Sequence, residues 1–242
     1  MSLGSLTRIT WLGHSAFQIT LRSGHVVLID PFLTGNPKTP RELAEPPRVD
    51  AILLTHGHSD HLGDTVALAK KHGAVVVTNF EIMLWLATQG VDGAKILGMN
   101  KGGTTDVVAG LNVTMTDAKH SSSMTETDGT VVYGGEAAGY IVRHEDMPTL
   151  YVAGDTAIFG DMEMIGELYQ PDVAILPIGG FYTMDPLDGA VAAQMLAVEK
   201  VIGCHYGTFP VLTGRPAEMR EALAGMESEI EVIEIEPGQD VP

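Results

Sequence analysis

Apolar and polar positions alternate at two different periods along this chain, and the switches between them outline its elements. Residues 7–11 and 16–21 follow the two-residue period of a half-buried strand on either side of Gly13-His14-Ser15, which predicts a hairpin, and 25–30 reads as a further buried strand. An irregular stretch with several prolines, 31–47, precedes a short apolar run at 51–54. The spacing over 62–72 is helical and closes at Gly73, 74–78 reads as a strand, and Asn79 caps a second helix that runs toward Gly90. Strand-like segments return at 94–97, 107–108, 111–117, 138–143 and 150–153. Helices at 161–168, 186–198 and 216–226 then alternate with strands at 173–177, 201–204 and 230–235.

This order, β-rich then α/β and again β-rich then α/β, predicts two similar halves. A weak internal repeat agrees. Val27-Leu28-Ile29-Asp30 precedes the Asp50-led apolar run in the first half, and Tyr151-Val152-Ala153-Gly154-Asp155 precedes the Asp172-led run in the second. Both halves therefore carry a strand ending in aspartate, followed by an aspartate-led strand ending in a loop. The predicted architecture is α/β: a four-layer αββα sandwich in which two sheets pack face to face with helices outside, forming one domain over 1–242. Loops at the strand ends would gather along one edge, where residues distant in sequence meet.

Composition narrows the function. The formal net charge is −17 and the basic residues are scattered, so no footprint for a nucleic-acid backbone is present and nucleic acid is not an expected partner. No apolar stretch reaches the length of a membrane span, and the first residues lack a basic-then-apolar leader, so a cytoplasmic, soluble protein is expected. Met1-Ser2-Leu3 reads as a cloning scar. The single cysteine, Cys204, excludes an intrachain disulfide and a cysteine-rich metal site, and a reducing compartment fits.

The candidate chemistry is concentrated in Thr55-His56-Gly57-His58-Ser59-Asp60-His61, directly after the apolar run at 51–54. His56 and His58, two apart on an extended turn, can aim their rings the same way, and Asp60 and His61 fall where a helix begins. Imidazole nitrogens and carboxylate oxygens are ligands for zinc, manganese or iron, and four of them from so short a stretch point to two adjacent divalent ions. More ligands are then needed. His120 follows the 111–117 strand, Asp155 ends an apolar strand behind Gly154, and His205 ends the 201–204 strand; each is a candidate by its strand-end position. His14, after a tight glycine turn, could face the cleft as a substrate-contacting or proton-shuttling catalytic group, or serve as a structural hydrogen-bonding residue. His25, His72 and His144 sit beside turn or charged residues and are expected in solvent, and the Cys204 side chain should point away from that of His205, into core.

The series His56-x-His58-x-Asp60-His61, then His120, Asp155 and His205, resembles the metal ligands of the metallo-β-lactamase superfamily over nearly the whole chain. Within it, Thr10-Trp11-Leu12-Gly13-His14-Ser15-Ala16-Phe17, Ile29-Asp30-Pro31-Phe32-Leu33 and His205-Tyr206-Gly207-Thr208-Phe209-Pro210 resemble the cytosolic metal-dependent hydrolases related to ascorbate-phosphate lactonase. The resemblance implies that His56, His58 and His120 hold one metal, that Asp60, His61 and His205 hold the other, and that Asp155 bridges both. It also implies that Asp30 orients the histidine loop by hydrogen bonds, where the sequence alone allows a turn cap before Pro31. A homo-oligomer is compatible with it.

The expected activity is hydrolysis of an ester, lactone, amide or phosphodiester bond in a small molecule by a dimetal-bound hydroxide, with Asp60 and Asp155 as catalytic carboxylates. A small anionic metabolite remains acceptable beside a cationic centre. The alternatives are a phosphodiesterase or nuclease with the same ligands, an iron-dependent redox enzyme, and a non-catalytic metal-stabilised binding protein. Thr34, Asn36, Tyr182, Thr183 and Tyr206 offer hydroxyls or amides in loops and are candidate substrate contacts.

Overall fold

In the computed structural model residues 7–241 are described, so Met1-Ser2-Leu3, expected to be a scar, lies outside the described residues. The first sheet has six strands: β1 (Arg8–Gly13), β2 (Ala16–Thr20), β3 (Val26–Ile29), β4 (Ala51–Leu53), β5 (Val75–Asn79) and β6 (Ile96–Met99), side by side in that order. The first two pairings are antiparallel and the next three parallel. A second sheet has the order β15-β14-β13-β12-β11-β8-β7, made from β7 (Thr104–Asp106), β8 (Asn112–Asp117), β11 (Ala138–His144), β12 (Met147–Val152), β13 (Val173–Pro177), β14 (Lys200–Cys204) and β15 (Glu231–Ile233). From β8 onward it repeats the first sheet's pattern of two antiparallel and three parallel pairings, and β7 is an added edge strand.

Three apolar clusters separate four layers. Between the sheets, Phe17, Ile29, Leu53 and Val77 face Val113, Tyr140, Val152 and Ile202. Outside the first sheet, Leu28, Ile52 and Val76 pack on Leu68 and Ala69 of α2 (Thr65–His72) and on Ile82 and Leu86 of α3 (Phe80–Thr88). Outside the second, Tyr151, Ala174 and Val201 pack on α4 (Asp161–Tyr169), α5 (Pro186–Met195) and α6 (Pro216–Gly225). Successive residues of β3 and β4 point to opposite cores, which explains why these parallel strands are continuous apolar runs. Burying one such side chain contributes about 1.5–3 kcal/mol, so both faces are held firmly. Cys204 lies in the inter-sheet core, as its alternation with His205 predicts. No helix among the described residues is long and apolar enough to cross a membrane.

Three local readings change. The single helix expected over 62–72 is split into α1 (Ser59–Leu62) and α2, because Gly63 takes φ 40° and the Asp64 carboxylate accepts the Leu33 and Thr34 backbone N–H groups instead of capping its own helix. The strand expected at 107–108 lies at β7, while Val107 to Leu111 forms a turn closed by Val107 N–H donating to the Leu111 carbonyl. A two-stranded hairpin, β9 (Ser123–Thr125) and β10 (Val131–Tyr133), was not evident in the sequence; it seats Met124 in the outer core of the first sheet.

Candidate metal centre

The site forms where the strands of both sheets end on the same side. β4 runs out through Thr55 into the His56–His61 segment, β8 leads to His120, β12 to Asp155 and β14 to His205. Close backbone approach brings these ends together. Gly154 has φ +62°, and a Cβ there would lie 2.8 Å from the Thr55 Cβ, so the chain turns against β4 only because residue 154 is glycine. Gly57 is similar: a Cβ would meet the Met124 sulfur at 2.6 Å, and its N–H donates to the Ser122 hydroxyl at 3.1 Å. Three site residues without glycine's freedom, His14, Asp30 and His205, also hold positive φ, at 56°, 43° and 55°. Such backbone costs about 1–3 kcal/mol and persists where the surroundings determine it.

Six of the seven residues expected to bind metal fall into two groups of donor atoms. His56, His58 and His120 place one nitrogen each within 4.8 Å of one another, and Asp60, His61 and His205, joined by His14, do the same. Asp155 reaches both. Its Oδ1 is 3.2 Å from His61 Nε2, and its Oδ2 is 3.1 Å from His205 Nε2 and 3.6 Å from His120 Nε2. Asp155 Oδ1 and His61 Nε2 are buried and form no well-aligned hydrogen bond, so without a cation only their mutual attraction at 3.2 Å offsets their burial. His56 Nε2 and His58 Nδ1 face each other at 3.0 Å, which two nitrogen lone pairs accept when a cation or a proton lies between.

Asp30 fixes the tautomers of the loop. It accepts the Thr55 N–H at 2.8 Å, the Thr55 hydroxyl at 2.7 Å and His61 Nδ1–H at 2.7 Å. The Thr55 hydroxyl, having given its proton to Asp30, accepts from His56 Nδ1 at 3.0 Å. Both His56 and His61 thus present an unprotonated-ready Nε2 to the centre. His58 presents Nδ1, its Nε2 meeting the Ser121 hydroxyl at 3.3 Å. His14 contacts Thr208 Oγ1 through Nδ1 and Asp60 Oδ2 through Nε2, each at 3.0 Å, and its carbonyl accepts the His205 N–H.

The electrostatics differ between the groups. Burial, reinforced by neighbouring imidazoles, lowers the pKa values of His56, His58 and His120, which keeps these rings neutral and able to bind metal. Burial likewise pulls His14 down to about 4. His61 and His205 go the other way: burial opposes their charge, but Asp155 outweighs it, raising His61 with the help of Asp30 and pushing His205 up to about 9. Asp60 and Asp155 are desolvated too, yet hydrogen bonds from His14 and His205 hold Asp60 below the ordinary carboxylate range, and the His61 and His205 charges do so for Asp155. The second group is a network of carboxylates and imidazolium donors, a charge pattern that bound cations would replace.

The centre opens into a cavity of about 600 Å³, with His58, Asp60, His120, Asp155 and His205 on its floor. Of the candidate substrate contacts only Tyr182 lines it. Thr34 is exposed; Asn36 bonds the Gly13 and Phe32 carbonyls and the Lys38 N–H; Thr183 reaches the Met184 carbonyl; Tyr206 packs on Trp11 at 5.4 Å between ring centroids. His14 is fully buried behind Asp60 and His205 and is absent from the wall, which places it in the hydrogen-bonding position and not in contact with substrate. His25, His72 and His144 stand outside both donor groups and are half-buried, with His144 Nε2 bonded to the Ala109 carbonyl. Sequence reasoning missed Phe32, Phe209 and Val211, which line the cavity; the first two lie inside motifs that carried the family resemblance.

Comparison with known proteins identifies the family. Residues 25–206 match the family described as the beta-lactamase superfamily domain. A metal-dependent hydrolase of Rubrobacter xylanophilus is 47% identical over 235 residues, covering 97% of this chain and 96% of that protein, and one of Solibacter usitatus is 47% identical over 233 residues, covering 96% and 98%. Among solved structures, Igni18, a metallo hydrolase from Ignicoccus hospitalis, superposes with a TM-score of 0.81 at 35% identity and covers 97% of each chain. The chain therefore belongs to the beta-lactamase superfamily, among the members named metal-dependent hydrolases.

Proposed function

We propose that this enzyme is a hydrolase with a binuclear centre, in which His56, His58 and His120 hold one divalent ion, Asp60, His61 and His205 hold a second, and Asp155 is shared. The observation that carries this is Asp155, a buried carboxylate between the two donor groups with one oxygen lacking any hydrogen bond. The donor set is nitrogen and oxygen only, which suits zinc or manganese and is compatible with iron. Such a pair of ions, when bound, supplies a water acidic enough to ionise near neutral pH and an electrophile for a carbonyl or phosphoryl oxygen.

The residues of the chain do the rest. Asp30 holds His56 and His61 in the tautomers that leave Nε2 free, and His14 holds Asp60 by donating Nε2–H to it. His58, Asp60, His120 and Asp155 border the cavity, so a scissile bond placed on the floor lies against the donors. The bond cleaved is an ester, lactone or phosphodiester of a small molecule, in a protein we place in the cytoplasm. The net charge of −17 argues against a nucleic-acid polymer.

The test is to strip the protein of metal, reload it with zinc or manganese, count ions per chain and assay ester, lactone and phosphodiester panels before and after loading. About two ions per chain with hydrolysis that returns only on loading is expected. One ion per chain, or iron with oxygen consumption and no hydrolysis, would overturn the proposal.

A further inference from the structure

The cavity is asymmetric. Its floor carries the donor residues, and Phe32, Tyr182, Phe209 and Val211 form much of the remaining wall, with Ser59 and Ser121 as its uncharged polar members. None of the described residues lining it is a lysine or arginine. Two cations nearby in sequence are committed elsewhere. Lys119, next to His120, pairs with Asp117 and lies 5.8 Å over the Phe159 ring, and Arg215 donates to the carbonyls of Leu212, Thr213 and Gly214.

Apolar surface also continues out of the mouth. Tyr182 is 57% exposed and Val211 41%, and Phe181, 75% exposed, packs edge-on against Tyr182 with ring centroids 4.7 Å apart. Phe181 holds φ at 62°, a left-handed backbone that an aromatic residue adopts only at a cost. The loop between β13 and α5 thus presents two rings to solvent beside the entrance. Exposed apolar groups gathered around a concave site mark a surface that an apolar ligand covers. A charged group laid against this wall would lose its water and find no counter-charge.

We propose that the substrate is an uncharged ester or lactone bearing an aliphatic or aryl group, which sits on Phe32, Tyr182, Phe209 and Val211 while its carbonyl lies on the metal floor. This rests on the hydrolase reading above and narrows it: phosphodiesters and metabolites with a second anionic group are disfavoured. A cavity of about 600 Å³ holds such a chain together with the reacting group.

The test uses the metal-loaded protein and p-nitrophenyl esters from acetate to octanoate, with bis(p-nitrophenyl) phosphate and the carboxylate-bearing p-nitrophenyl hemiglutarate as charged comparators. The expected result is a kcat/KM that rises about threefold per methylene until the wall is covered, and that is lowest for the charged pair. Val211→Lys, at an exposed position, should cut the octanoate-to-acetate ratio at least about tenfold, from loss of apolar contact, with metal content unchanged. Binding of 1-octanol, read by saturation-transfer NMR, gives a second readout and should weaken in the same variant. Hydrolysis that is flat with chain length, or faster on either charged comparator, would overturn the substrate class and leave the hydrolase standing. If no compound is cleaved with metal fully loaded, the hydrolase reading fails; octanol binding that is sensitive to Val211→Lys then still supports the apolar site, and its absence overturns it.

Discussion

The two halves of the molecule repeat one strand pattern and place different chemistry on it. At the end of β3, Asp30 has three hydrogen bonds and supports the histidine loop; at the corresponding end of β12, Asp155 has an oxygen without a partner and stands between the donor groups. At the end of β4 lies the His56–His61 segment, whereas β13 ends in the loop that carries Phe181 and Tyr182 past the cavity. At the end of β5, Asn79 caps α3 through the Ile82 N–H, whereas β14 delivers His205 to the site. One half supplies a compact loop of donors and its support; the other supplies separate donors and part of the apolar wall. The repeated scaffold fixes where strand ends meet, and the residue at each end decides what is done there.

The largest effect that would break this contrast comes from removing the charge of each of its two aspartates in turn. Asp155→Asn should lower hydrolysis by more than the roughly 10- to 100-fold typical of a residue that only supports a ligand, reaching about 10³-fold or more. Its metal-free melting temperature should fall, because the buried His61 and His205 lose the carboxylate that holds their charge. Asp30→Asn should cost about 10- to 100-fold in activity or metal affinity. It should also destabilise the metal-free protein by about 2–4 kcal/mol, since charge-assisted bonds from Thr55 and His61 are weakened. Denaturant unfolding of both variants after metal removal checks the pair. Equal loss of activity in the two would erase the distinction between an aspartate that supports the donors and one shared by them.

A smaller effect comes from pH, within the second donor group. His205 is raised to about 9 in the folded metal-free chain, so its contribution to stability is complete below its ordinary value near 6.5 and fades as pH rises through 9. His14, held at about 4, works in the opposite sense: it stays neutral when folded, so acidification below 6.5 favours the unfolded chain until pH 4 is passed. Metal-free protein should therefore melt lower at pH 9 than at pH 7, with the alkaline loss reduced in His205→Ala and the remainder due to His61, which is raised as well. The smallest effect concerns Cys204, one residue before His205 and on the opposite face of β14. Burial pushes its thiol pKa up, so a thiol reagent should leave the native protein unmodified and label it only after unfolding.

Much of this was legible in the chain because the decisive residues were either contiguous or placed at the ends of apolar runs. His56, His58, Asp60 and His61 stand together, and His120, Asp155 and His205 each follow a strand whose apolar pattern is plain. Both faces of the central strands are buried, which gives their runs a clear beginning and end. What stayed hidden depends on tertiary partners. The break between α1 and α2 is set by Asp64 meeting the backbone at Leu33 and Thr34. Phe32, Phe209 and Val211 look like core residues in sequence, and only the meeting of loops from both halves turns them toward a cavity. Thr34, Asn36, Thr183 and Tyr206 offer polar groups in loops, yet their partners are backbone groups, solvent or, for Tyr206, the Trp11 ring.

The measurement that bears most directly on the centre is the anomalous-scattering difference map of crystals reloaded with zinc or manganese, collected on both sides of the metal edge. Two peaks are expected, one on either side of Asp155, the first within bonding distance of His56 Nε2, His58 Nδ1 and His120 Nε2, and the second of Asp60, His61 Nε2 and His205 Nε2. A single fully occupied peak in crystals saturated with metal, or two peaks that leave Asp155 untouched, would contradict the shared-carboxylate centre.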